Sequence, residues 1–574
     1  MPDARSLLAE RLQVAFDAVE PGADPVLRAS ERADYQANGA LALAKRIGRP
    51  PRQVAEEVVA KADLAEICRE VAVSGPGFIN LTFATAFLAG QVAVVAADPR
   101  LGIGTAPRTE AVVVDYSAPN VAKEMHVGNL RSTVIGDALC RILEVVGHRV
   151  LRENHLGDWG TPFGMLIEHL VDLGEQEAAH ELSVGDLGTF YQGARGSFDA
   201  DEGFAERSRR RVVLLQSGDP ETMRLWRLLV AESVRYFDAV YAALGVQLTD
   251  DDIVGESFYN PMLPGVVEDL AVLGLLVDDD GARCVFPAGF SNREGDPLPL
   301  IVQKSDGGYT YATTDLAAIR DRVDRLGADR ILYVVGAPQA QHLKMCFAVA
   351  RAAGWLPDGV VAQHVAFGSV LGSDRKMLRT RAGASVKLSE LLDEAVSRAE
   401  AAIAEHDPAV TGEERRRLAR ALGIGAIKYA DLSNDRLKDY VFNWDRMLAF
   451  EGDTGPYLQY AHARIRSIFR RGGASVPGPG TPPSLSAPEE RELALRLLGL
   501  GEAVRESLEG EAPSKLCGYL YGLATTFTTF YERCPVLKAP DEETKRSRLL
   551  LSDLTARILA RGLELLGIEA PDRM

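Results

Sequence analysis

A strand–loop–helix–strand pattern between Ala111 and Leu151 constrains the fold more than any other stretch of this sequence. The run AVVVDYS (111–117) is apolar and rich in β-branched residues, which indicates a buried parallel strand. After a loop, apolar residues recur at helical spacing up to Gly147, which is placed to end the helix. The run RVLREN (149–154) indicates a second strand. This βαβ unit predicts an open α/β sheet whose ligand binds at the carboxyl ends of the strands.

The loop of this unit, PNVAKEMHVGN (119–129), carries a histidine and a glycine at the start of the helix. Gly128 allows a ligand to approach the backbone closely, and a helix start offers unpaired N–H groups to phosphates. The imidazole of His126 could donate a hydrogen bond to a charged oxygen there. A second interpretation stays open at this point, in which His126 and Asn129 only cap the helix.

The composition excludes several classes of protein. Of the 574 residues, 47% are hydrophobic and 25% are charged, as in ordinary soluble globular proteins. The six cysteines are scattered without a CxxC pair, so neither a disulfide framework nor a structural metal site is indicated. No apolar run approaches the roughly 20 residues that span a bilayer, so we expect a cytoplasmic protein without a membrane partner.

The net charge of −17 argues against a general nucleic-acid binder, because such binding needs lysines and arginines that face phosphates. Local basic faces on an acidic body remain compatible with this charge. A protein of that kind would select a shaped polynucleotide. The arginine-rich run HARIRSIFRR (462–471) is the best local candidate for such a face.

The patterning along the chain predicts a multidomain α/β protein. Residues 1–109 mix helical and strand patterns and predict an α+β N-terminal domain. Residues 110–375 predict a Rossmann-like parallel-sheet domain with an insertion at about 165–300, because a tight βαβ crossover does not need that length. Residues 376–450 combine a basic loop with a helical region. Residues 451–574 predict an all-α domain that contains a Pro/Gly-rich linker, 472–490.

Four loops follow strands of the predicted sheet, so their polar residues should converge on one cleft. The later strands are predicted at GGYTYATTD (307–315), RILYVVG (330–336) and VVAQHVAFGSVLG (360–372). Acids on one side and a cationic loop (373–387) on the other suit nucleotidyl transfer and a small cationic ligand. Each residue has a bland alternative, such as a helix cap or a solvated turn. The residues are Asp115, Asn120, Lys123, His126 and Asn129 in the first loop, Tyr311 and Asp315 in the second, Gln339 in the third, and Lys376, Arg379 and Arg381 in the fourth.

Taken in order, these segments resemble the motifs of class I aminoacyl-tRNA synthetases, and specifically of the arginyl-tRNA synthetase family. PNVAKEMHVGN is similar to the HIGH motif of the class, with His126 to Asn129 at its end. The resemblance continues through HLGDWGTPFG (155–164) and SDGGYTYATTDLAAI (305–319). GPGFINL (75–81) and DTGPYLQYAHARIRSI (453–468) are typical of the N-terminal and anticodon-binding domains of the family. The resemblance covers essentially the whole chain.

The resemblance implies an arginine–tRNA ligase, which forms arginyl-adenylate from L-arginine and ATP and transfers the arginyl group to the 2′-OH of the terminal adenosine of tRNA(Arg). Mg2+ would accompany the ATP. Fixed carboxylates suit the substrate, because they match the planar fork of a guanidinium. The implied arginine contacts are Asp115, Asn120, His126, Tyr311, Asp315 and Gln339. The implied ATP contacts are His126, Gly128, Asn129 and Lys376, and the implied catalytic residues are His126, Asn129, Lys123, Lys376 and Arg379.

The resemblance also implies tRNA contacts at both ends of the chain. Phe78 and Asn80 would meet the D-loop. Tyr457 and Tyr460, one helical turn apart, could stack on unpaired bases of the anticodon loop, although ordinary helix packing is the alternative. By the same resemblance, activation would require bound tRNA and the enzyme would be a monomer. The remaining implied anticodon contacts are Arg464 and Met574.

Two positions depart from the motifs of the class. Asn129 stands where the HIGH motif has its final histidine, and Arg379 replaces the second lysine of the KMSKS loop, which here begins at Lys376. In family members with such a loop, a lysine just before the HIGH motif is thought to substitute. We therefore predict that Lys123 contacts phosphate.

These departures keep other functions open. A synthetase paralogue could bind tRNA or arginine as a sensor without ligation, or it could supply arginyl-tRNA to a pathway outside translation. The sequence does not separate a specialised paralogue from a housekeeping enzyme. A stand-alone nucleotidyltransferase is disfavoured, because it would not need the C-terminal helical domain.

Overall fold

The computed structural model describes residues 4–30, 32–174, 187–379, 386–472, 478 and 480–574. Residues 380–385 of the cationic loop, with Arg381, lie outside the described part, as do residues 473–477 and 479 of the Pro/Gly-rich linker. Among the described helices, none combines the length and the apolar character needed to cross a membrane.

The N-terminal part is an antiparallel sheet accompanied by helices, which confirms the α+β prediction. Its strands are ordered β1-β2-β4-β3. Burial alternates along β4, because Ile79, Leu81 and Phe83 point into the core and the residues between them are half-buried. The elements are α1 (Ala4–Asp17), β1 (Leu27–Ala29), β2 (Tyr35–Ala37), α2 (Gly39–Ile47), α3 (Pro51–Lys61), β3 (Cys68–Ser74), β4 (Phe78–Phe83) and α4 (Thr85–Ala97).

The βαβ unit predicted at the start of the parallel-sheet domain is present. Strands β5 (Ala111–Asp115) and β6 (Arg149–Glu153) pair in parallel, and helix α5 (Val127–Val145) connects them. Every residue of β5 is buried, because different core clusters cover the two faces of the strand. Val112 and Val114 belong to one cluster, and Val113 belongs to the other.

Helices and a small antiparallel sheet follow β6 and form the insertion. The longest helix starts at Pro220 after Asp219, whose carboxylate accepts the N–H of Thr222 at 2.9 Å. It ends at Gly245, which adopts the left-handed conformation (φ 65°). The elements are α6 (Pro162–Leu173), α7 (Leu187–Ala200), α8 (Glu202–Gln216), α9 (Pro220–Leu244), α10 (Glu256–Tyr259), α11 (Leu263–Val272), β7 (Leu276–Asp279), β8 (Ala282–Val285) and β9 (Leu300–Gln303).

The chain then returns to the parallel sheet, whose strand order is β11-β10-β5-β6. The register aligns Asp115 with Tyr333 and Glu153, and Tyr333 with His364. The carboxyl ends of all four strands therefore share one edge, where open α/β sheets bind ligands. The elements are α12 (Tyr311–Asp324), β10 (Arg330–Tyr333), a short 3-10 turn (Ala337–Gln339), α13 (Ala340–Ala352) and β11 (Val361–His364).

The remainder of the chain is mainly helical. A two-residue parallel pair, β12 with β13, lies within the region that follows the main sheet. From residue 455 onward the described residues form helices without a strand, which confirms the all-α prediction. The elements are β12 (Val370–Leu371), α14 (Leu388–His406), α15 (Gly412–Leu432), β13 (Tyr440–Val441), α16 (Trp444–Met447), α17 (Gly455–Gly472), α18 (Pro488–Leu497), α19 (Leu500–Glu509), α20 (Ser514–Arg533) and α21 (Glu542–Leu565).

The prediction of a strand over 307–315 is wrong. The strand of this region is β9, and α12 begins at Tyr311 after Thr310, whose backbone is still extended (φ −105°, ψ 167°). Alternating Tyr and Thr favour a strand, but the buried residues recur at helical spacing, so tertiary packing selects the helix. Asp315 therefore lies in the first turns of a helix, not at a strand end.

The prediction of one strand over 360–372 is also wrong. The chain forms β11 and then breaks before β12, which pairs with β13 and not with the main sheet. At the break, a Cβ on Gly368 would lie only 2.7 Å from the carbonyl carbon of Lys438. This close approach of two backbones requires glycine and leads the chain out of the sheet.

Candidate functional site

The loop after β5 holds a strained backbone at the ligand-binding edge of the sheet. Ser117, Ala118 and Ala122 have positive φ angles of 72°, 46° and 57°. Such conformations cost about 1–3 kcal/mol each and persist only where neighbours hold them. The hydroxyls of Ser132 in α5 and Ser233 in α9 accept the N–H groups of Ser117 and Ala122, both at 2.9 Å. The insertion therefore helps to shape this loop.

His126 caps α5, and its hydrogen bonds fix its tautomer. Its Nδ1 accepts the N–H of Gly128 at 3.0 Å, while the Asn129 side chain accepts the N–H of His126 at 3.1 Å. Nδ1 must therefore be unprotonated, which leaves the proton on Nε2. Desolvation lowers the pKa of His126, and the charge of Lys123 lowers it further. His126 and Asn129 therefore do cap the helix, and the cap presents Nε2–H as a donor on an exposed side chain.

The expectation of unpaired N–H groups at the start of α5 is wrong. The N–H of Val127 donates to the carbonyl of Val386 at 3.0 Å, and that of Gly128 donates to His126. The N–H of Asn129 donates to the carbonyl of His126 at 2.8 Å. The donors left for a phosphate at this helix end are therefore side chains.

Three exposed cations belong to the loops around this helix end. Lys123 precedes α5, and Lys376 and Arg379 lie in the cationic loop. The Nζ of Lys123 lies 4.7 Å from the ring centroid of Tyr191 in α7, a contact that orients the ammonium without neutralising it. Lys376 and Arg379 are exposed in a hairpin that the N–H of Gly372 closes onto the carbonyl of Lys376 at 2.8 Å. Within the described residues, none of the three forms an ion pair with an acid.

The end of the cationic loop is fixed beside His126. Besides the hydrogen bond from Val127 to Val386, Lys387 forms an ion pair with Glu124 at 2.9 Å. Hydrogen bonds or ion pairs therefore hold the cationic loop both at Lys376 and at residues 386 and 387. Residues 380–385 lie outside the described part.

Asp115 lies in a buried cluster of one guanidinium and two carboxylates. Nη2 of Arg322 donates to Asp115 at 2.7 Å, and Nε of Arg322 donates to Glu153. Burial opposes the charge of Arg322, but Glu153 and Asp115 outweigh it and raise the pKa of the guanidinium. Asp115 is only 6% exposed. The structure thus gives its carboxylate a partner within the protein, while the cluster as a whole keeps one net negative charge.

Asp315 and Tyr311 both contact His342, a residue that no sequence pattern marked. Oδ2 of Asp315 lies 2.5 Å from Nε2 of His342 in α13. The ring of Tyr311, which is 69% exposed, packs edge-on against the same imidazole with centroids 4.9 Å apart. Sγ of Cys346 lies 3.5 Å from Nε2, and burial raises the pKa of this thiol well above its ordinary value. Asp315, His342 and Cys346 bring three possible metal-ligand atoms within 4.8 Å of one another, a grouping that the sequence did not indicate.

A cavity of about 670 Å³ lies beside Tyr311, between residues of the insertion and the segment that leads into α12. Glu256 lines it together with Tyr311. Desolvation and the charges of Asp158 and Asp315 raise the pKa of Glu256 to about 7. Carboxylates placed close together in this way favour a cationic ligand. Further lining residues are Trp159, Gln216, Asn260, Lys304, Tyr309 and Thr314.

Asn120 and Gln339 are both exposed at the carboxyl edge of the sheet. Asn120 packs closely against Gly157, where an added Cβ would lie 2.2 Å from Oδ1 of Asn120. Gln339 ends the 3-10 turn after β10 and directly precedes α13, three residues before His342. Both amides are therefore placed at the carboxyl edge, and their contact with a ligand stays a prediction.

Tyr333 lies near both Asp115 and Asp315, the two acids predicted to bind arginine. Burial raises the pKa of its phenol, and the charges of Asp115 and Asp315 raise it further, so both acids lie near this side chain. The structure thus brings Asp115 and Asp315 near one phenol, and adds Glu256, Arg322 and His342 as neighbours of these acids. No periodicity or motif marked these three, because their partners lie 27 to 207 residues away along the chain or in the folded insertion. That the other residues predicted on the loops share one cleft with them stays a prediction.

The residues expected to meet the D-loop lie in β4. Asn80 is already bonded within the sheet, since it accepts from Gln36 at 2.7 Å and donates to Ser74 at 2.8 Å. Phe78 begins the strand and is half-buried. Their contact with RNA stays a prediction.

The tyrosines expected at the anticodon pack partly within the helical domain. The ring of Tyr457 packs edge-on against Tyr521 at 5.8 Å, and that of Tyr460 packs against Phe450 at 6.3 Å. Both tyrosines are half-buried, so the helix-packing alternative accounts for part of each side chain.

Arg464 and Met574 lie on the same domain. The guanidinium of Arg464 lies over the ring of Tyr531, 5.0 Å from its centroid, and is exposed. Met574 lines a small apolar pocket together with Tyr460 and Phe450. The end of the chain is thereby placed beside one of the two tyrosines.

Comparisons with known proteins account for the whole chain. Residues 3–83 match the model of the arginyl tRNA synthetase N terminal domain, and residues 92–444 match that of the class I (R) tRNA synthetase catalytic domain. Residues 458–574 match the DALR anticodon binding domain. The chain is 55% identical to an arginine–tRNA ligase from Thermobifida fusca over 578 aligned residues, with 100% of both chains covered.

Solved structures agree in fold. The arginyl-tRNA synthetase from Plasmodium falciparum superposes with a TM-score of 0.87 at 30% identity, with 100% of both chains covered. The enzyme from Thermus thermophilus gives a TM-score of 0.80 at 26% identity, covering 99% of this chain and 100% of the other. The fold class expected from the sequence is thus confirmed. The chain belongs to the arginine–tRNA ligases, a family of class I aminoacyl-tRNA synthetases.

Proposed function

We propose that this chain uses ATP to activate L-arginine and then transfers the arginyl group to the 2′-OH of the terminal adenosine of tRNA(Arg). In the first step a carboxylate oxygen of arginine attacks the α-phosphate and pyrophosphate leaves. In the second step the 2′-OH attacks the arginyl carbonyl and AMP leaves. Mg2+, which class I synthetases use in general, enters with ATP. Neither step needs a covalent enzyme intermediate, so positioning and charge stabilisation carry the catalysis.

The observation that carries this proposal is a pair of neighbouring acids: Glu256 lines the cavity together with Tyr311, and the charge of Asp315 acts on Glu256. A guanidinium has five N–H donors in a planar fork, so it can serve two carboxylates and a phenol together. Lysine would leave one acid without its charged partner, and an unmade bond of this kind costs about 1–3 kcal/mol or more. The net negative charge of the cluster around Asp115 adds to the attraction for a cation.

The other end of the amino acid would face the loop after β5. Asn120 and Gln339 are exposed amides that can orient the carboxylate and the ammonium of arginine. The Nε2–H of His126 can then donate to the α-phosphate as its charge grows, because the cap on Gly128 keeps this tautomer.

The phosphates would be held by side chains and not by the backbone of α5. Lys123 is the cation nearest to His126 in sequence, and its ammonium is oriented by Tyr191. Lys376 and Arg379 of the hairpin would act on the leaving pyrophosphate, with Asn129 and Gly128 beside the nucleotide. Because the backbone N–H groups at the start of α5 already have acceptors and Tyr191 orients the ammonium of Lys123, these contacts support a role for Lys123 in place of the altered KMSKS lysine.

The tRNA would lie along both helical and N-terminal domains. The exposed guanidinium of Arg464 and the free faces of Tyr457 and Tyr460 suit unpaired bases, with Met574 beside them. Phe78 and Asn80 would meet the D-loop. That activation requires bound tRNA, and that the enzyme acts as a monomer, stay predictions.

Amino-acid-dependent exchange of pyrophosphate into ATP tests the proposal. With tRNA(Arg) present, we expect exchange with arginine and none above background with lysine or the other amino acids. Omission of the tRNA is the matched control for its role in activation. A chain that binds tRNA(Arg) but shows no exchange with arginine would be a sensor, and the proposal would be withdrawn.

A further inference from the structure

His342 contacts two of the side chains assigned to arginine in the proposed function. Its Nε2 lies 2.5 Å from Oδ2 of Asp315, and its ring packs against that of Tyr311. Asp315 and Tyr311 belong to α12, whereas His342 belongs to α13. The imidazole therefore joins the two helices beside Tyr311, which lines the cavity.

Asp315 needs such a link because it faces a like charge. Glu256 and Asp315 lie close enough for the charge of Asp315 to raise the pKa of Glu256, after the larger effects of burial and of Asp158. Without a tether, Asp315 would turn away from Glu256, since only its side-chain torsions hold it. A donor on Oδ2 fixes that torsion and leaves Oδ1 for a ligand.

Tyr311 needs the same support for a different reason. At 69% exposure the side chain of Tyr311 has little other packing, so few contacts hold its ring in one rotamer. The edge-on contact with the imidazole supplies a preferred orientation.

We infer that His342 is a positioning residue for the guanidinium of arginine: its Nε2–H anchors Oδ2 of Asp315, and its ring sets the rotamer of Tyr311. This inference rests on the arginine-binding role proposed above for Asp315. His342 does not touch the substrate in this arrangement. It acts by holding one carboxylate oxygen of Asp315 in place, so that the other stays available to a guanidinium.

Cys346 gives a matched control on the same helix face, one turn after His342. Its thiol lies against the imidazole, but it is buried and its raised pKa keeps it protonated, so it adds packing and no charge. Cys346→Ala therefore disturbs the packing beneath His342 without removing the hydrogen bond to Asp315.

The test compares His342→Leu, His342→Gln, Cys346→Ala and Asp315→Asn in aminoacylation of tRNA(Arg), with KM measured separately for arginine and for ATP. Agmatine, a guanidinium compound without the carboxylate, serves as a competitive probe of the cation end. We expect His342→Leu to raise KM for arginine and Ki for agmatine together, by about tenfold, with KM for ATP within about twofold. His342→Gln, whose amide can also donate to Asp315, should recover most of this loss, and Cys346→Ala should match the wild type.

The outcomes separate the inference from the proposed function. If Asp315→Asn leaves KM for arginine unchanged, the role of Asp315 itself fails. If Asp315→Asn raises it and His342→Leu does not, only the positioning role of His342 is overturned. The positioning role is also overturned if His342→Gln is as impaired as His342→Leu, or if His342→Leu raises both KM values equally. Circular dichroism and thermal unfolding of each variant identify a loss of fold, and His342→Gln then carries the test.

Discussion

The raised pKa of Glu256 makes a quantitative prediction for the pH dependence of arginine binding. Glu256 titrates at about pH 7 because burial and the charges of Asp158 and Asp315 disfavour its ionised form. A cationic guanidinium favours that ionised form, so arginine binding should strengthen as the pH rises through 7 and weaken as it falls. The sign is opposite to that expected if a neutral Glu256 were the binding form.

The size of the effect follows from the titration of the free enzyme. If only ionised Glu256 binds arginine, KM scales with one plus the ratio of proton concentration to the acid dissociation constant. For a pKa of about 7, this factor is about 11 at pH 6 and about 1.1 at pH 8. KM for arginine should therefore fall about tenfold between the two pH values.

Steady-state aminoacylation at pH 6, 7 and 8 measures this directly, with saturating ATP and tRNA(Arg). Glu256→Gln is the control, because it keeps the shape and removes the titration. We expect its KM for arginine to lie above the wild-type value at every pH and to lack the improvement between pH 6 and pH 8, because its side chain stays neutral throughout. Histidines elsewhere in the site contribute equally to both curves. Parallel pH profiles for wild type and Glu256→Gln would refute the assignment of Glu256.

Three further variants test other parts of the site. Arg322→Met leaves two buried carboxylates without their cation and should lower the free energy of unfolding in urea by about 3–5 kcal/mol; a loss below about 1 kcal/mol would contradict the buried cluster. Gly157→Ala places a Cβ 2.2 Å from Oδ1 of Asn120 and should raise KM for arginine, whereas Gly90→Ala, with open space around its Cβ, should not; equal values for both would argue against the role of Asn120. Lys123→Ala should slow pyrophosphate exchange by about 100-fold with little change in KM for arginine, and an unchanged rate would show that Lys123 is not the compensating cation.

The sequence predicts a strand correctly where its residue pattern fits only one kind of secondary structure. β5 is apolar throughout and β6 follows a helix that Gly147 terminates, so the βαβ unit and the sheet edge could be predicted. The stretch that ends at Asp315 could not, because alternating Tyr and Thr fit a strand as well as the helix that packing selects. At Gly368 the sequence shows a glycine but not the second backbone, near Lys438, that demands it.

Side-chain partners were the least predictable feature. Asp115 could be placed at a strand end, but its partner Arg322 is 207 residues further along, on a helix whose docking no local pattern reveals. The same holds for Glu256, which becomes an acid of the site only when the insertion folds over the sheet. For the N–H groups at the start of α5, a general rule about helix ends led to a wrong prediction. The rule predicts donors without partners, but here the capping box and the carbonyl of Val386 accept their hydrogen bonds.

The central claim is that Asp315 holds the guanidinium of arginine. The most direct test is the pair of Michaelis constants of Asp315→Asn in aminoacylation of tRNA(Arg). We expect a rise of about 10–100-fold in KM for arginine, because one charged hydrogen bond is lost, with KM for ATP within about twofold of the wild type. An equal rise in both constants, or no rise for arginine, would contradict it.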